Sequence, residues 1–287
     1  MISETYNIDC IEYCKTLKKN SVNIILTDPP YKYLKNQKLE TDFNEIELFT
    51  EWKRIIKKGG FIVLFGRGTS FYRWNYMLSE LGFEFKEEII WNKRRNSIPG
   101  LPLMRRHETI SIMTFGKNTI NRVYIDYFEK KQFDLISLQN DVKRILSGRN
   151  SKEIKAIEKF INDGIIDYEE QDTVHFFKHG FKAKSRSANT LNIINRGLCE
   201  SSIIELNRDH YHTIHPTQKP VRLLERLLML VKKSDNDLVL DCFLGSQSTR
   251  IASYNLGLNF IGCELDKEYF EQGNKRFEQY KAQGKLF

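Results

Sequence analysis

The chain has 287 residues, 40% hydrophobic and 29% charged, a balance that suits one large α/β catalytic domain with an elaboration and excludes a disordered chain. No apolar run approaches the ~18 residues that a membrane span needs, and the opening MISETYNIDCIEYCKTLKKN lacks the layout of a signal peptide, so a cytoplasmic protein with no membrane partner is expected. A net charge of +8 favours an anionic partner, and the five scattered cysteines (Cys10, Cys14, Cys199, Cys242, Cys263) point to reduced thiols instead of a disulfide framework.

Taken in chain order, Asp9 to Lys18 predicts a short helix. Val22 to Leu26 is a β-branched apolar run that reads as a strand, and Thr27-Asp28-Pro29-Pro30 ends it, because two prolines cannot continue a ladder. Ile46 to Lys57 carries apolar residues at helical spacing, with Gly59-Gly60 as its C-terminal stop. Phe61 to Phe65 reads as a fully buried strand. A helix around Tyr72 to Leu81 follows, then strands near Phe85 to Trp91 and Thr109 to Phe115.

The stretch 118–207 differs in being lysine-rich and polar. It has an amphipathic pattern from Tyr124 to Ile161 and a basic, aromatic run from Phe176 to Lys184. His175 and His179 could share a helix face, but no clear further ligand accompanies them and no metal is expected. After this stretch β/α alternation resumes. Pro220 opens a helix with an apolar face of Val221, Leu224, Leu227, Leu228 and Val231. Leu238 to Asp241 is a strand, followed by a glycine turn and a helix to about Asn255; Asn259 to Cys263 is the next strand, with Glu264 at its end. Buried strands alternating with helices predict a doubly wound, mostly parallel sheet, which binds ligands beyond the carboxyl ends of its strands.

Two strand ends carry chemistry. In Leu238 to Thr249 a strand runs into a small-residue turn and then a helix, an arrangement that brings backbone N–H groups close to a ligand. Glu264 follows 23 residues after Asp241, where an acidic side chain can accept hydrogen bonds from ribose hydroxyls. The chain has no GxGxxG and no GxxxxGK[ST] motif, so an adenosine without phosphates fits better than a dinucleotide or triphosphate. The second strand end is Asp28-Pro29-Pro30-Tyr31. A carboxylate and a carbonyl fixed by proline can together accept both hydrogens of an amino group, and Tyr31 offers a face on which a flipped base can stack.

These residues resemble a known family. Asp28-Pro29-Pro30-Tyr31 is similar to the catalytic motif of the amino-group DNA methyltransferases, and the lead-in from Asn7 to Cys10 and from Asn20 to Thr27 resembles theirs. His215-Pro216-Thr217-Gln218-Lys219-Pro220 is similar to the motif that precedes the family's cofactor half. Catalytic motif first and cofactor motif last is the order of the β group. The resemblance implies a fold of the class I S-adenosylmethionine-dependent methyltransferase type, with S-adenosyl-L-methionine as cofactor and DNA as partner. Residues 1–117 and 208–287 would be the two halves of the methyltransferase domain, and 118–207 a target-recognition insert.

Residue by residue, the resemblance implies that Asp9 bonds the cofactor's adenine amino group, with Cys10 and Ile11 nearby. Asp28 would face both the cofactor and the target base, and Lys219 and Pro220 would line the cofactor pocket. Phe243, Gly245, Ser246, Ser248 and Thr249 would hold the methionine moiety, and Glu264 the ribose. One departure stands out: the family's turn usually reads Phe-x-Gly-Ser-Gly, and this chain has Gln247 at the second glycine, which is costly if that position needs a positive φ or close cofactor approach.

Asp at the head of the motif resembles the adenine-N6 enzymes; cytosine N4 is the alternative reading, as is a catalytically silent DNA-binding relative. No proline precedes a cysteine, so the nucleophile motif of the cytosine-C5 enzymes is absent. DNA contacts are expected at Lys93, Arg94, Arg95, Arg105 and Arg106 and at Lys178, Lys182 and Lys184. A homodimer and a cognate restriction nuclease are further candidate partners that the sequence does not specify.

Overall fold

The computed structural model describes residues 2–31, 42–94, 103, 106–146, 159, 186–209 and 213–284. The chain divides into two compact units, Met1–Asn121 with Ser201–Phe287, and Arg122–Glu200.

The first unit is built on an eight-stranded sheet. Its elements are β1 (Ser3–Tyr6), α1 (Cys10–Thr16), β2 (Val22–Thr27), α2 (Glu45–Ile55), β3 (Ile56–Gly66), α3 (Gly68–Glu80), β4 (Phe83–Asn92) and β5 (His107–Phe115). The strand order is β1-β10-β9-β2-β3-β5-β4-β8, where β8 is Ile203–Glu205, β9 Leu238–Asp241 and β10 Asn259–Cys263. Strands β1, β10, β9, β2 and β3 are mutually parallel, and β4 and β8 run the same way. Only β5 is reversed, pairing antiparallel with both β3 and β4. Its first residues, His107 and Glu108, therefore lie at the same edge as the carboxyl ends of its neighbours. The expected doubly wound sheet is present, with this one inversion.

The buried runs of β2 and β3 become central strands because they are apolar on both faces. The pair Gly59-Gly60 does not stop a helix, as the sequence suggested. Helix α2 ends at Ile55 and the chain extends at once into β3, which contains both glycines. Strand β1, with its polar SETY sequence, sits at the sheet edge beside β10, where half-exposed residues need no apolar pattern. The core includes Phe49, Trp52, Trp74, Ile25, Ile62 and Leu64, together with Cys10, Cys14, Cys242 and Cys263. Cys14 Sγ lies 3.8 Å from Cys242 Sγ, and Trp52 Nε1 donates to Cys242 Sγ at 3.3 Å. Burial pushes the Cys10 and Cys242 thiols up, so they behave as small apolar groups, and all five cysteines are free.

Residues 221–282 supply α7 (Val221–Val231), α8 (Ser248–Asn255) and α9 (Lys267–Ala282). The Arg122–Glu200 unit holds β6 (Tyr124–Ile125) paired antiparallel with β7 (Leu198–Cys199), and helices α4 (Tyr127–Lys131), α5 (Leu135–Leu146) and α6 (Arg186–Arg196). Buried Tyr127 donates to Asp141 Oδ2 at 2.8 Å within it. The run from Phe176 to Lys184, with Lys178, Lys182, Lys184, His175 and His179, lies outside the described residues. Among the described residues no helix is long and apolar enough to cross a membrane.

Candidate active site

The carboxyl ends of β2, β3, β9 and β10 and the reversed start of β5 surround a cavity of about 520 Å³, within the size range of small-molecule sites. Its wall includes Asp28, Pro29, Pro30, Tyr31 and Phe65 from the β2 and β3 ends, Glu108 from β5, and His215 and Lys219 ahead of α7. Phe243, Gly245, Ser246, Ser248 and Thr249 follow β9, and Glu264 and Tyr269 follow β10. The two signals read from the sequence thus meet in one cavity.

Asp241 joins the two halves. Its Oδ1 accepts from Thr27 Oγ1 at 2.8 Å and from the Phe243 amide at 3.1 Å, which pins the end of β2 to the start of the turn after β9. Burial pushes its carboxyl up to about 6 against the pull of Thr249, Phe243 and Thr27. The turn itself is held by Glu264, whose Oε2 accepts from the Gly245 amide at 2.8 Å and Oε1 from the Asp266 amide at 2.9 Å. Burial raises the pKa of Glu264, and those two amides oppose the rise. From α9, Arg276 Nη1 donates to the Ser246 carbonyl at 2.6 Å and to Ser248 Oγ at 3.0 Å. Gly245 has φ +46°, and a Cβ there would lie 3.3 Å from His215 Nε2, so the glycine lets the imidazole close over the turn. His215 meets Tyr269 edge to face at 4.4 Å. Burial and the Lys219 charge hold its pKa down to about 4, which leaves the ring neutral at physiological pH.

Gln247 does adopt the left-handed conformation that favours glycine, with φ +58°. Its side chain is nevertheless fully buried away from the cavity wall. Arg250 Nη1 donates to its Oε1 at 2.9 Å, and its Nε2 donates to Asn274 Oδ1 at 3.0 Å. The space comes from Gly273 on α9, where a Cβ would lie 2.7 Å from Gln247 Cγ. The missing second glycine of the turn is thus accommodated by another glycine elsewhere.

On the catalytic side, Asp28 Oδ1 accepts from the Tyr31 hydroxyl and Oδ2 from Lys219 Nζ. Tyr31 packs obliquely on Trp74, ring centroids 6.2 Å apart, and its carbonyl accepts from Ser70 Oγ of α3 at 2.9 Å. Lys219 also contacts Glu108 Oε2 at 3.1 Å, and Lys93 reaches Glu108 Oε1 at 2.6 Å. Burial raises the pKa of Asp28 in spite of the Lys219 charge. For Glu108 burial works upward too, but Lys219 and Lys93 prevail and its carboxyl is held low.

Not every expected site residue lines this cavity. Asp9 is the N-cap of α1, with Oδ1 accepting from the Ile11 and Glu12 amides at 2.8 and 3.2 Å. Cys10 and Ile11 are packed in the core, and Pro220 is buried at the start of α7; none of these four lines the cavity. Lys93, expected on a DNA-facing surface, is buried against Glu108, because β4 ends beside the reversed start of β5. Arg94 pairs with Glu205 at 2.7 Å, Arg106 is exposed, and Arg95 and Arg105 lie outside the described residues. Among the described residues no group of three His, Cys, Asp or Glu could hold a metal ion.

A model of the DNA methylase family N6_N4_Mtase matches residues 22–275. The chain belongs to this family. Relatives include the Type II methyltransferase M.HinfI of Haemophilus influenzae, 27% identical over 95% of this chain and 67% of its own length. M1.MboII of Moraxella bovis is 26% identical, and the match covers 95% of each chain. Among solved structures, the M1.HpyAVI–SAM complex shares the fold with a TM-score of 0.56 and 22% identity, over 96% of this chain and 100% of that one. The cytosine-N4-specific PvuII DNA methyltransferase shares it with a TM-score of 0.57 and 14% identity, over 95% of this chain and 85% of its own. As a member of the family, the chain is a DNA amino-methyltransferase that uses S-adenosylmethionine. Its cavity suits that cofactor: a carboxylate (Glu264), hydroxyls (Ser246, Ser248, Thr249) and aromatic surface (Phe243, Tyr269) line it together, the mix of groups that a nucleoside joined to an amino acid calls for.

Proposed function

We propose that the chain methylates the N6 amino group of adenine at a specific sequence in DNA. The observation that carries amino-group methylation is the placement of Asp28, at the head of the Pro29-Pro30-Tyr31 turn, in the same cavity as the Glu264-held turn; adenine is favoured over cytosine by the resemblance of an Asp-headed motif to the adenine-N6 enzymes. The bound cofactor supplies an electrophilic methyl group. Asp28 and the Pro29 carbonyl accept hydrogen bonds from the two N–H groups of the target amino group, which draws the nitrogen lone pair out of conjugation with the ring; the nitrogen, positively charged once it has gained the methyl group, then loses one proton through Asp28 to solvent. Tyr31 offers its ring to the flipped base, and its hydroxyl gives up Asp28 Oδ1 as the amino group arrives. Reaction is promoted by holding the reacting atoms in line, with no covalent enzyme intermediate. The Arg122–Glu200 unit supplies target recognition, a role supported by the basic, aromatic composition of 176–184 and by its position outside the motifs. The Type II names of the relatives support a restriction–modification setting with a nuclease partner.

The test is to incubate the protein with DNA and methyl-labelled cofactor, digest the DNA to nucleosides and identify the labelled base. Label in N6-methyladenine supports the reading; label in N4-methylcytosine replaces the base assignment.

A further inference from the structure

Four charged side chains alternate in sign across the carboxyl edge of the sheet: Lys93, Glu108, Lys219 and Asp28. Lys93 and Lys219 are buried, and the side chains of Glu108 and Asp28 are 14% and 20% exposed. They come from four places in the chain: the end of β4, the start of β5, the segment before α7 and the turn after β2. The methyl-transfer chemistry described above uses Asp28 and makes no use of Lys93 or Glu108. Desolvating this many charges is expensive, and well-packed apolar residues would often stabilise a fold as well or better. What the row does achieve is geometric: Glu108, itself paired to Lys93 at 2.6 Å, contacts Lys219 at 3.1 Å, and Lys219 sits on Asp28 Oδ2 and not on Oδ1.

We propose that Glu108, neutralised by Lys93, is a positioning residue for methyl transfer: it anchors Lys219 on one oxygen of Asp28 and so keeps the other for the target amino group. The inference rests on the reading of Asp28 as the acceptor for that amino group. The charged and titratable groups facing Asp28 are Lys219, Glu108 from β5, Tyr31 of its own turn and Asp241 at the end of β9. Of these, Glu108 raises the pKa of Asp28 and Lys219 lowers it, while burial raises it most.

The charge row makes two variants act in opposite directions. In Glu108→Gln, Lys219 serves one anion instead of two, and Asp28 becomes a weaker base. In Lys93→Met, Glu108 loses its neutralising partner and adds uncompensated negative charge near Asp28, which becomes a stronger base. A role in packing alone gives no such opposition.

The experiment is the single-turnover methylation rate of the full chain against pH for the parent, Glu108→Gln, Lys93→Met and the charge-conserving Lys93→Arg, with cofactor affinity measured alongside. The expected result is a slowing of about tenfold or more in the first two variants at saturating cofactor. The acidic limb should move down by about one pH unit in Glu108→Gln and up in Lys93→Met, and Lys93→Arg should restore it. Limbs that coincide with the parent, or that move the same way in both variants, overturn the proposal. If Lys93→Met does not fold, Glu108→Gln against Lys93→Arg decides it by the same limb. Product analysis in the same samples separates the two levels: methyl on cytosine N4 overturns the base assignment alone, because Asp28 would face either amino group, and a parent that methylates no DNA overturns both.

Discussion

Glu264→Ala is the substitution through which the cofactor half is most directly tested. In the protein, both carboxylate oxygens already accept backbone amides, Oε2 from Gly245 at 2.8 Å and Oε1 from Asp266 at 2.9 Å. A carboxylate has about four lone-pair sites, so two ribose hydroxyls can still be accepted. Hydrogen bonds to a charged acceptor contribute about 1.5–3 kcal/mol each, and water entering the truncated site recovers part of that. The net loss in cofactor affinity is then about 1–3 kcal/mol, or roughly 5- to 150-fold in Kd. The same change strips two amides of their partner, so apo stability should also fall by about 1 kcal/mol or more. Titration calorimetry with S-adenosylmethionine, run well below the variant's Tm, measures the first quantity, and thermal denaturation without ligand measures the second. An unchanged Kd in folded Glu264→Ala protein would remove Glu264 from the ribose role, whatever happens to Tm.

Three further outcomes follow from the geometry. Asp241 is buried and pushed up to about 6 from an ordinary 3.8, so its ionisation costs the folded state about 3 kcal/mol above pH 6, a cost that disappears as pH falls through 6 toward 3.8. Asp241→Asn should therefore gain on the parent in denaturant stability at pH 8 and lose that advantage by pH 4; a pH-independent difference would contradict the assignment. Gly273→Ala should destabilise by about 1–3 kcal/mol, because its Cβ would lie 2.7 Å from Gln247 Cγ, and adding Gln247→Gly should recover most of that loss; additive costs in the double-mutant cycle would refute the pairing. Tyr31→Phe keeps the ring and frees Asp28 Oδ1, so methylation should stay near the parent rate, whereas Tyr31→Ala should lose about 1–3 kcal/mol of base stacking; equal rates for the two variants would exclude the stacking role.

The parts of the site that were legible in the sequence are those whose chemistry sits in consecutive residues at the end of an apolar strand. Asp28 to Tyr31 and Phe243 to Thr249 announce themselves because the strand, the turn and the functional groups are contiguous, and Glu264 because it closes the next strand. Glu108 was not legible, since only the reversal of β5 brings the start of that strand to the cavity, and a local pattern of buried residues does not carry strand direction. The same long-range pairing buried Lys93, which read as a basic surface residue. Arg276 and Ser70 support the two turns from helices far along the chain, through hydrogen bonds that no spacing rule anticipates. Gln247 was legible as a departure, but its accommodation depends on Gly273, which has no meaning until α9 is packed against the turn. Strand β1 was not legible because an edge strand of polar residues has no apolar signature.

The most direct test of the central claim is the single-turnover rate of Asp28→Ala on a DNA that the parent methylates, with cofactor affinity measured in parallel. Asp28 offers an acceptor whose hydrogen bond strengthens as positive charge develops on the attacking nitrogen, and losing such an interaction typically costs about 3–4 kcal/mol, or ~10²–10³ in rate. The account predicts N6-methyladenine as the product of the parent and a rate lower by that factor in the folded, cofactor-binding variant. Methylation of adenine by Asp28→Ala at close to the parent rate would contradict it.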